Sequence, residues 1–268
     1  MSMIFCPLFS GSSGNTLYVE YNGTRLLVDA GKSGKMILDA LQFIGVDPGT
    51  LDGILITHEH NDHIAGAGIL SRRLQLPVYA SEETWLAMEA KLKAMPEGCR
   101  RVFTVGQDFY IGSLGVAPFA IPHDAADPCG FRLWGGQTSV STATDLGYFP
   151  DSVLQAIGGS DLVLLESNHD PDMLMANDHY SERLKRRILG RNGHLSNEAA
   201  AEAVVSLVES GVHNVVLGHL SGENNRPALA LETSENRAEI EGIRLGKDLC
   251  LDLAWRDRVG GVYTISRD

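Results

Sequence analysis

The segment 57–63, THEHNDH, constrains this chain more than any other. It follows directly on an apolar run that predicts a buried strand, and it contains three imidazoles and two carboxylates. If the segment begins in an extended conformation, His58 and His60 point the same way, because side chains alternate along a strand. A turn into a following helix then directs Asp62 and His63 differently. One short segment can therefore supply ligands to two neighbouring metal ions.

Three further candidate ligands come directly after predicted strands. His123 follows the run Val116 to Ile121, Asp145 follows Thr138 to Thr144, and His219 closely follows Asn214 to Leu217. A lone His or Asp at such a position is more often an ordinary loop residue. Together with segment 57–63 they form a donor set of imidazole and carboxylate, which suits Zn, Mn or Fe.

The order of the remaining elements predicts the fold class. Strands are expected at 4–9, 15–21, 25–29, 53–57, 77–80, 116–121, 138–144, 162–167 and 214–217, and helices at 35–43, 81–95, 180–189, 197–209 and 227–241. Hairpins followed by strand and helix alternation, in two successive halves, predict an α+β fold. We expect an αββα sandwich of two mixed β-sheets with helices on the outer faces, in a single domain spanning residues 1–268.

Composition narrows the class of protein. No apolar run approaches the roughly 18 residues that cross a bilayer, and the opening segment lacks basic residues, so we expect a cytoplasmic protein that does not enter a membrane. The net charge of −12 would repel nucleic acid on average, although a local basic stripe can overcome it. The cysteines Cys6, Cys99, Cys129 and Cys250 form no C-x-x-C pair and are expected to be buried free thiols.

These residues together resemble the metallo-β-lactamase superfamily. The resemblance rests on LVDAG at 27–31, the H-x-H-x-D-H cluster, and the later His, Asp and His. It implies two divalent metal ions with these ligands: His58, His60 and His123 for one, Asp62, His63 and His219 for the other, and Asp145 bridging both with a hydroxide nucleophile. Asp62 would then also be catalytic. Asp29 would not bind metal itself but would orient a metal-binding side chain through a hydrogen bond, or it would only close a turn before Gly31.

The segment 193–203, GHLSNEAAAEA, resembles the His-x-Ser/Thr loop and helix of ribonuclease Z. That resemblance implies that His194 donates a proton to the departing alkoxide and that Glu166 supports it. The alternative is that His194 only marks a helix entry capped by Ser196 or Asn197. We also predict substrate contacts at the following positions: Lys185, Arg186, Arg187, Ser196 and Asn197.

Within the superfamily the chain most resembles the YycJ-type (WalJ) branch of bacterial proteins. The motifs are FSGSSGN at 9–15, ESNHD at 166–170, GHLSN at 193–197 and GHLS at 218–221. This resemblance implies a DNA exonuclease that works from 5′ ends and is associated with DNA repair.

Two other functions remain open on the sequence. Paired metals also serve small-molecule hydrolases, either a cyclic phosphodiesterase or a thioesterase of the glyoxalase II kind. A non-catalytic binding module of the same fold is the second, although the intact ligand set argues against it.

Overall fold

The computed structural model describes residues 1–267 and contains fourteen β-strands in that range. They are Met3–Phe9 (β1), Thr16–Tyr21 (β2), Thr24–Val28 (β3), Gly53–Leu55 (β4), Val78–Ala80 (β5), Arg100–Val102 (β6), Phe109–Ile111 (β7), Leu114–Ala120 (β8), Cys129–Gly135 (β9), Thr138–Ala143 (β10), Leu162–Glu166 (β11), Asn214–Gly218 (β12), Cys250–Leu253 (β13) and Tyr263–Ile265 (β14). They form two mixed sheets of seven strands. The predicted pair of mixed sheets is therefore confirmed.

Helices lie between the strands. They are Gly34–Phe43 (α1), Asn61–Ile64 (α2), Ala67–Leu74 (α3), Glu82–Leu92 (α4), Asp151–Ile157 (α5), Pro171–Ala176 (α6), Glu182–Ile188 (α7), Asn197–Glu209 (α8) and Pro227–Ile240 (α9). Within residues 1–267, no helix combines the length and the apolarity needed to cross a membrane.

Contacts group the chain into two compact units. Unit 1 comprises Met1–Ala120, Ala125–Ser139 and the described residues from Trp255 onward, and unit 2 comprises Ile121–Asp124 and Val140–Ala254. The expectation of one domain over residues 1–268 stays a prediction.

Unit 1 contains the sheet with the order β14-β1-β2-β3-β4-β5-β6. Its β2–β3 hairpin turns at Asn22 and Gly23, whose φ angles of 48° and 80° are the left-handed pair that a two-residue turn requires, so the predicted hairpin is confirmed. The strands from β3 to β6 are parallel. Helices α1, α3 and α4 bury apolar side chains against this sheet, including the fully buried Ile37, Leu70 and Trp85.

Unit 2 is built on parallel strands. Register pairs connect β10 to β11, β11 to β12 and β12 to β13, with helices in every connection. Carboxyl ends of parallel strands meet at one edge of a sheet, and loops at that edge are where such folds place their ligands. Asp145, Glu166 and His219 all lie at this edge.

The cysteine prediction needs one correction. All four cysteines are free, and Cys6, Cys99 and Cys129 are buried, but Cys250 is exposed. Cys250 begins β13, a strand that the sequence pattern did not predict, and it pairs with Asn214 through the backbone while its side chain stays outside the core.

The Gly31 backbone passes very close to two other loops of unit 1. A Cβ atom on Gly31 would lie 1.6 Å from the Asp62 carbonyl oxygen and 2.6 Å from the Asn15 backbone nitrogen. The same three segments are joined by hydrogen bonds from Asn15 N to Asp62 O, 2.8 Å, and from Gly31 N to Asn15 O, 2.7 Å.

We predict that Gly31→Ala lowers the free energy of unfolding by about 2–5 kcal/mol, because backbone atoms must separate to admit the methyl group. Urea denaturation measures this. Gly49→Ala is the control, since its added methyl would make only an ordinary 3.4 Å contact with the Asp47 side chain. Equal stability of Gly31→Ala and the wild-type protein would contradict the prediction.

Candidate active site

Two candidate ligands of unit 1 lie in the extended segment after β4. Helix α2 begins at Asn61 with His60 at its N-cap position, so the chain reaches His60 before it turns. His58 Nε2 and His60 Nδ1 lie 3.0 Å apart, and the ring centroids are 4.6 Å apart. Two imidazole nitrogens directed into one small space suit a cation held by both.

Asp29 fixes the ring of His63. The Asp29 Oδ2 atom lies 2.7 Å from His63 Nδ1, and the Thr57 backbone N–H donates to Asp29 Oδ1 at 2.9 Å. His63 Nδ1 therefore carries the proton, which leaves Nε2, 3.5 Å from Asp62 Oδ2, as the nitrogen with a lone pair. Asp29 thus contacts the candidate ligand His63 and also joins its own loop to the Thr57 backbone.

Asn15 joins this group, although the sequence analysis missed it as a site residue. Its Nδ2 atom lies 3.1 Å from His63 Nε2, and its backbone N–H donates to the Asp62 carbonyl. The only signal in the sequence was its place at the end of the motif at 9–15. An Asn in a Gly/Ser loop is otherwise typical of a plain turn.

The candidates of unit 2 follow three neighbouring parallel strands. Asp145 lies two residues beyond β10, Glu166 ends β11, and His219 comes directly after β12. Asp145 and His219 have φ angles of 61° and 55°, as Asp29 in unit 1 has 61°. A left-handed backbone is costly for a residue with a side chain and is concentrated at functional sites.

Asp145 is surrounded by imidazole nitrogens. Its Oδ1 atom lies 3.6 Å from His123 Nε2, 3.6 Å from His194 Nδ1 and 3.7 Å from His219 Nε2. These separations exceed a normal hydrogen bond. The distances to His123 and His219 are close to the roughly 3.3 Å between ligand atoms that a tetrahedral site with 2.0–2.1 Å bonds requires.

Glu166 is fully buried and makes four hydrogen bonds. Its Oε1 atom accepts from His194 Nδ1 at 2.8 Å and from His219 Nδ1 at 2.7 Å, and its Oε2 atom accepts from the backbone N–H groups of Leu146 and Leu195. Burial alone would raise the pKa of Glu166, but the charge and hydrogen bonds of the two histidines lower it to about 2. Glu166 is therefore a carboxylate at neutral pH.

The surroundings of His194 favour the protonated form of its ring. Burial alone would lower the pKa of His194, yet the charge and hydrogen bond of Glu166 raise it above its usual value. The side chain keeps 22% of its surface exposed while Nδ1 is engaged. An imidazolium with one nitrogen anchored and part of its ring accessible is suited to proton donation.

His123 has the opposite protonation preference. Burial lowers its pKa, and its Nδ1 atom lies 3.2 Å from the Gly193 carbonyl oxygen, to which an N–H would donate. This leaves Nε2 facing Asp145. In His63, His123 and His219 alike, Nδ1 contacts a protein oxygen, and only the neutral ring offers the other nitrogen to a metal.

Both units therefore offer donors that fit a divalent metal ion. Each supplies imidazole nitrogens and a carboxylate. The Nδ1 atoms of His63, His123 and His219 are engaged by hydrogen bonds to protein oxygens. Zn, Mn and Fe accept this combination. The His and Asp clusters are thus compatible with divalent metal binding.

The expected substrate contacts divide into two groups. Lys185 is buried, and its ammonium donates to the Met175 carbonyl at 2.7 Å. Ser196 accepts from Ala199 N as the N-cap of α8, and Asn197 is buried with its amide bonded to Ser167 and Asn225. The structure therefore argues against direct substrate contacts by the side chains of Lys185 and Asn197 and gives Ser196 a structural role.

Arg186 and Arg187 lie at the surface of the protein, where Arg187 is paired with Asp124. Both are exposed on α7, and Arg187 Nε donates to Asp124 Oδ2 at 2.5 Å. The sequence marked Lys185, Arg186 and Arg187 of this helix equally as substrate contacts. It could not show which one faces the interior, because that depends on what α7 packs against.

His169 is a further histidine near the site that the sequence analysis gave no role. It is 1% exposed, and neither ring nitrogen has a hydrogen-bond partner. Burial lowers the pKa of His169 from 6.5 to about 4. The folded protein therefore keeps this ring neutral through pH values at which an unfolded chain protonates it.

We predict that His169 makes the protein less stable as pH falls from about 6.5 to about 4, because in that window the unfolded state binds the extra proton. Above pH 6.5 the ring is neutral in both states and has no such effect. At pH 5 the cost is about 2 kcal/mol. Urea denaturation at pH 8 and pH 5 should show a smaller loss of stability for His169→Leu than for the wild-type protein. His179→Leu, at an exposed position, is the control and should behave as the wild-type protein does.

Comparison with known proteins identifies the family. Residues 24–220 match the sequence family described as the β-lactamase superfamily domain. The chain is 41% identical over 243 residues to "Exodeoxyribonuclease WalJ" of Streptococcus pneumoniae, covering 90% of each chain, and 38% identical over 247 residues to "Exodeoxyribonuclease YycJ" of Bacillus anthracis, covering 92% of this chain and 93% of the relative.

Solved structures show the same fold. The metallo-β-lactamase fold protein YhfI from Bacillus subtilis superimposes with a TM-score of 0.72 at 18% identity, over 97% of this chain and 99% of that one. The predicted fold class is thereby confirmed. On the profile match and the two relatives, the chain belongs to the β-lactamase superfamily, in the family that includes the WalJ and YycJ exodeoxyribonucleases.

Proposed function

We propose that this chain is a metal-dependent phosphodiesterase that degrades DNA as an exonuclease. The observation that carries the proposal is that a single oxygen of Glu166, Oε1, accepts hydrogen bonds from both His194 and His219. A proton donor and a candidate metal ligand thus share one carboxylate. The two exodeoxyribonuclease relatives, each matched over nine-tenths of the chain, support DNA as the substrate.

The proposed cofactors are two divalent ions, Zn, Mn or Fe. The ligand sets are those that the family resemblance implies: His58, His60 and His123 for one ion, Asp62, His63 and His219 for the other, with Asp145 common to both. Such ions activate water and stabilise the charge that develops on a phosphate. The hydrogen bonds behind His63, His123 and His219 support this assignment, because they present the correct nitrogen of each ring.

His194 is the proposed general acid. When the phosphodiester is cleaved, the departing sugar oxygen must take a proton, since a free alkoxide is a poor leaving group. His194 Nδ1 is bonded to Glu166, so Nε2 is the nitrogen that donates. Glu166 keeps the imidazolium form available by its charge.

Three finer features belong to the same proposal. Digestion would start at 5′ ends, the cellular role would be in DNA repair in the cytoplasm, and exposed Arg186 and Arg187 would contact the phosphates of the substrate. The first two rest on the family resemblance, and the third on the exposure of α7.

We predict that the reconstituted protein holds two equivalents of metal and that His219→Ala retains fewer, because one of the two ions loses a ligand. Elemental analysis after dialysis measures both. His179→Ala, at an exposed histidine outside the site, should retain two equivalents. Full activity of the wild-type protein with one equivalent would refute the two-metal assignment.

We predict that His194→Ala slows cleavage of DNA by about 10²- to 10⁴-fold, the usual range for positioned proton transfer. Hydrolysis of bis-p-nitrophenyl phosphate should be largely spared, because p-nitrophenolate leaves without a proton. Steady-state rates on both substrates, with metal content measured in parallel, make the comparison. His60→Ala should lose both activities. Equal losses on the two substrates for His194→Ala, with the metals retained, would show that His194 is not the proton donor.

A further inference from the structure

A groove of about 620 Å³ opens beside the candidate ligands of unit 2. We name it the arginine groove, and its lining includes Pro122, Asp124, Tyr148, Arg186, Arg187 and Arg191. Its size falls within the roughly 300–1,000 Å³ typical of small-ligand sites. It is large enough to hold one nucleotide.

The groove is locally basic in a chain whose net charge is −12. Three guanidinium groups line it against the one carboxylate of Asp124, which leaves a local charge of +2 from these four residues. The Arg187 ion pair with Asp124, 2.5 Å, neutralises one of the three. Arg186 and Arg191 are both exposed, so the groove presents two cations to an anionic ligand.

An aromatic surface lies in the same groove. The guanidinium of Arg191 lies 4.8 Å from the centroid of the Tyr148 ring, and Tyr148 remains 39% exposed. Arginine over an aromatic ring holds that ring in place. Nucleobases stack on aromatic rings and on guanidinium planes without regard to base identity.

The walls of the groove are the loops that carry the proposed chemistry. Asp124 directly follows His123, Tyr148 lies three residues after Asp145, and Arg191 lies three residues before His194.

Backbone contacts lock these loops together. Gly147 N donates to Pro122 O at 2.9 Å, Asp124 N donates to Asn192 O at 3.1 Å, and a Cβ on Gly147 would lie only 2.0 Å from Arg191 O. These contacts join the loops that line the groove to the loops that carry His123, Asp145 and His194.

We propose that the arginine groove binds the nucleotide whose sugar oxygen leaves when the phosphodiester is cleaved. This inference rests on the proposed function, since it takes His194 as the donor to that oxygen. The base of this nucleotide lies on the Tyr148–Arg191 surface, and a phosphate of the same nucleotide lies against Arg186 and Arg191. Because Arg191 and His194 belong to one short loop, holding this nucleotide also places its departing oxygen beside the proton donor.

Base removal tests the stacking surface. Oligonucleotides of one sequence carry an abasic residue at the first, second or third nucleotide from the attacked end, and kcat and KM are measured for the wild-type protein, Tyr148→Ala and Tyr148→Phe. For the wild-type protein, the abasic residue at the leaving-group position should lower kcat/KM by roughly tenfold or more. Tyr148→Ala should lower kcat/KM on intact DNA by a similar factor, and the abasic residue should lower kcat/KM of this variant no further. Tyr148→Phe should have the same kcat/KM values as the wild-type protein.

Controls separate this effect from damage to the site. Tyr110→Ala removes an aromatic residue that is 69% exposed and does not line the groove, and it should leave all values unchanged. Metal content and unfolding temperature of Tyr148→Ala should match those of the wild-type protein. If abasic sites at every position affect Tyr148→Ala and the wild-type protein equally, the proposed stacking surface is refuted.

Salt dependence tests the phosphate contact without catalysis. DNA binding is followed by fluorescence anisotropy in a His194→Ala background, which binds without rapid cleavage. Adding Arg186→Ala should reduce the slope of log K against log salt by nearly one unit, as expected for one lost phosphate contact. Arg183→Ala, on the same helix but outside the groove, is the matched control and should leave the slope unchanged. Equal effects of the two substitutions would overturn the phosphate assignment.

The two levels of proposal fail differently. If the metal-loaded wild-type protein does not cleave DNA, the proposed function is wrong and this inference is wrong with it. If it cleaves DNA but Tyr148 shows no coupling to any base, only the role of the arginine groove is refuted.

Discussion

The buried charge of Glu166 is the interaction on which the arrangement of unit 2 depends. A carboxylate with no exposed surface is stable only when its oxygens are fully hydrogen-bonded, and here two imidazoles and two backbone N–H groups supply the donors. Those donors come from three different loops, which follow β10, precede α8 and follow β12. One charge therefore holds an Nδ1–H group of both His194 and His219 and also fixes the backbone N–H groups of Leu146 and Leu195. The carboxylate that orients the candidate metal ligand His219 is the same one that raises the pKa of His194.

Asp29 plays the corresponding part in unit 1. It accepts from the Thr57 backbone and orients His63, again with a buried carboxylate that joins a strand end to a candidate ligand. Both units place residues in the left-handed region within two residues of the end of a strand, at Asp29, Asp145 and His219. The cost of that backbone is met by hydrogen bonds that exist only when the loops are assembled. Ligand geometry and folding of the loops are thus coupled.

Charge distribution reconciles an acidic chain with an anionic substrate. Lys185 is withdrawn into the interior and Arg187 is paired with Asp124, so few of the basic residues near His194 act as exposed cations. The two that remain in the arginine groove lie beside an aromatic ring and at the edge of the site. At physiological salt the Debye length is about 8 Å, so these local charges outweigh the distant acidic surface.

The sequence by itself determined the β2–β3 hairpin, the main strands and helices, and the ligand candidates, because period-two patterns, the Asn22-Gly23 turn and His or Asp at strand ends are local signals. It missed β9, which has a glycine near each end, and the short strands β6, β7, β13 and β14, whose three or four residues are too few to show a pattern. It also could not rank the basic residues of α7. Tertiary structure decided those points. The register that pairs Glu166 with Gly218 brings Glu166 next to His219, 53 residues away, and packing of α7 buries Lys185 while leaving Arg186 outside. Strand register and helix packing depend on contacts between distant segments, and no local pattern of residues encodes them.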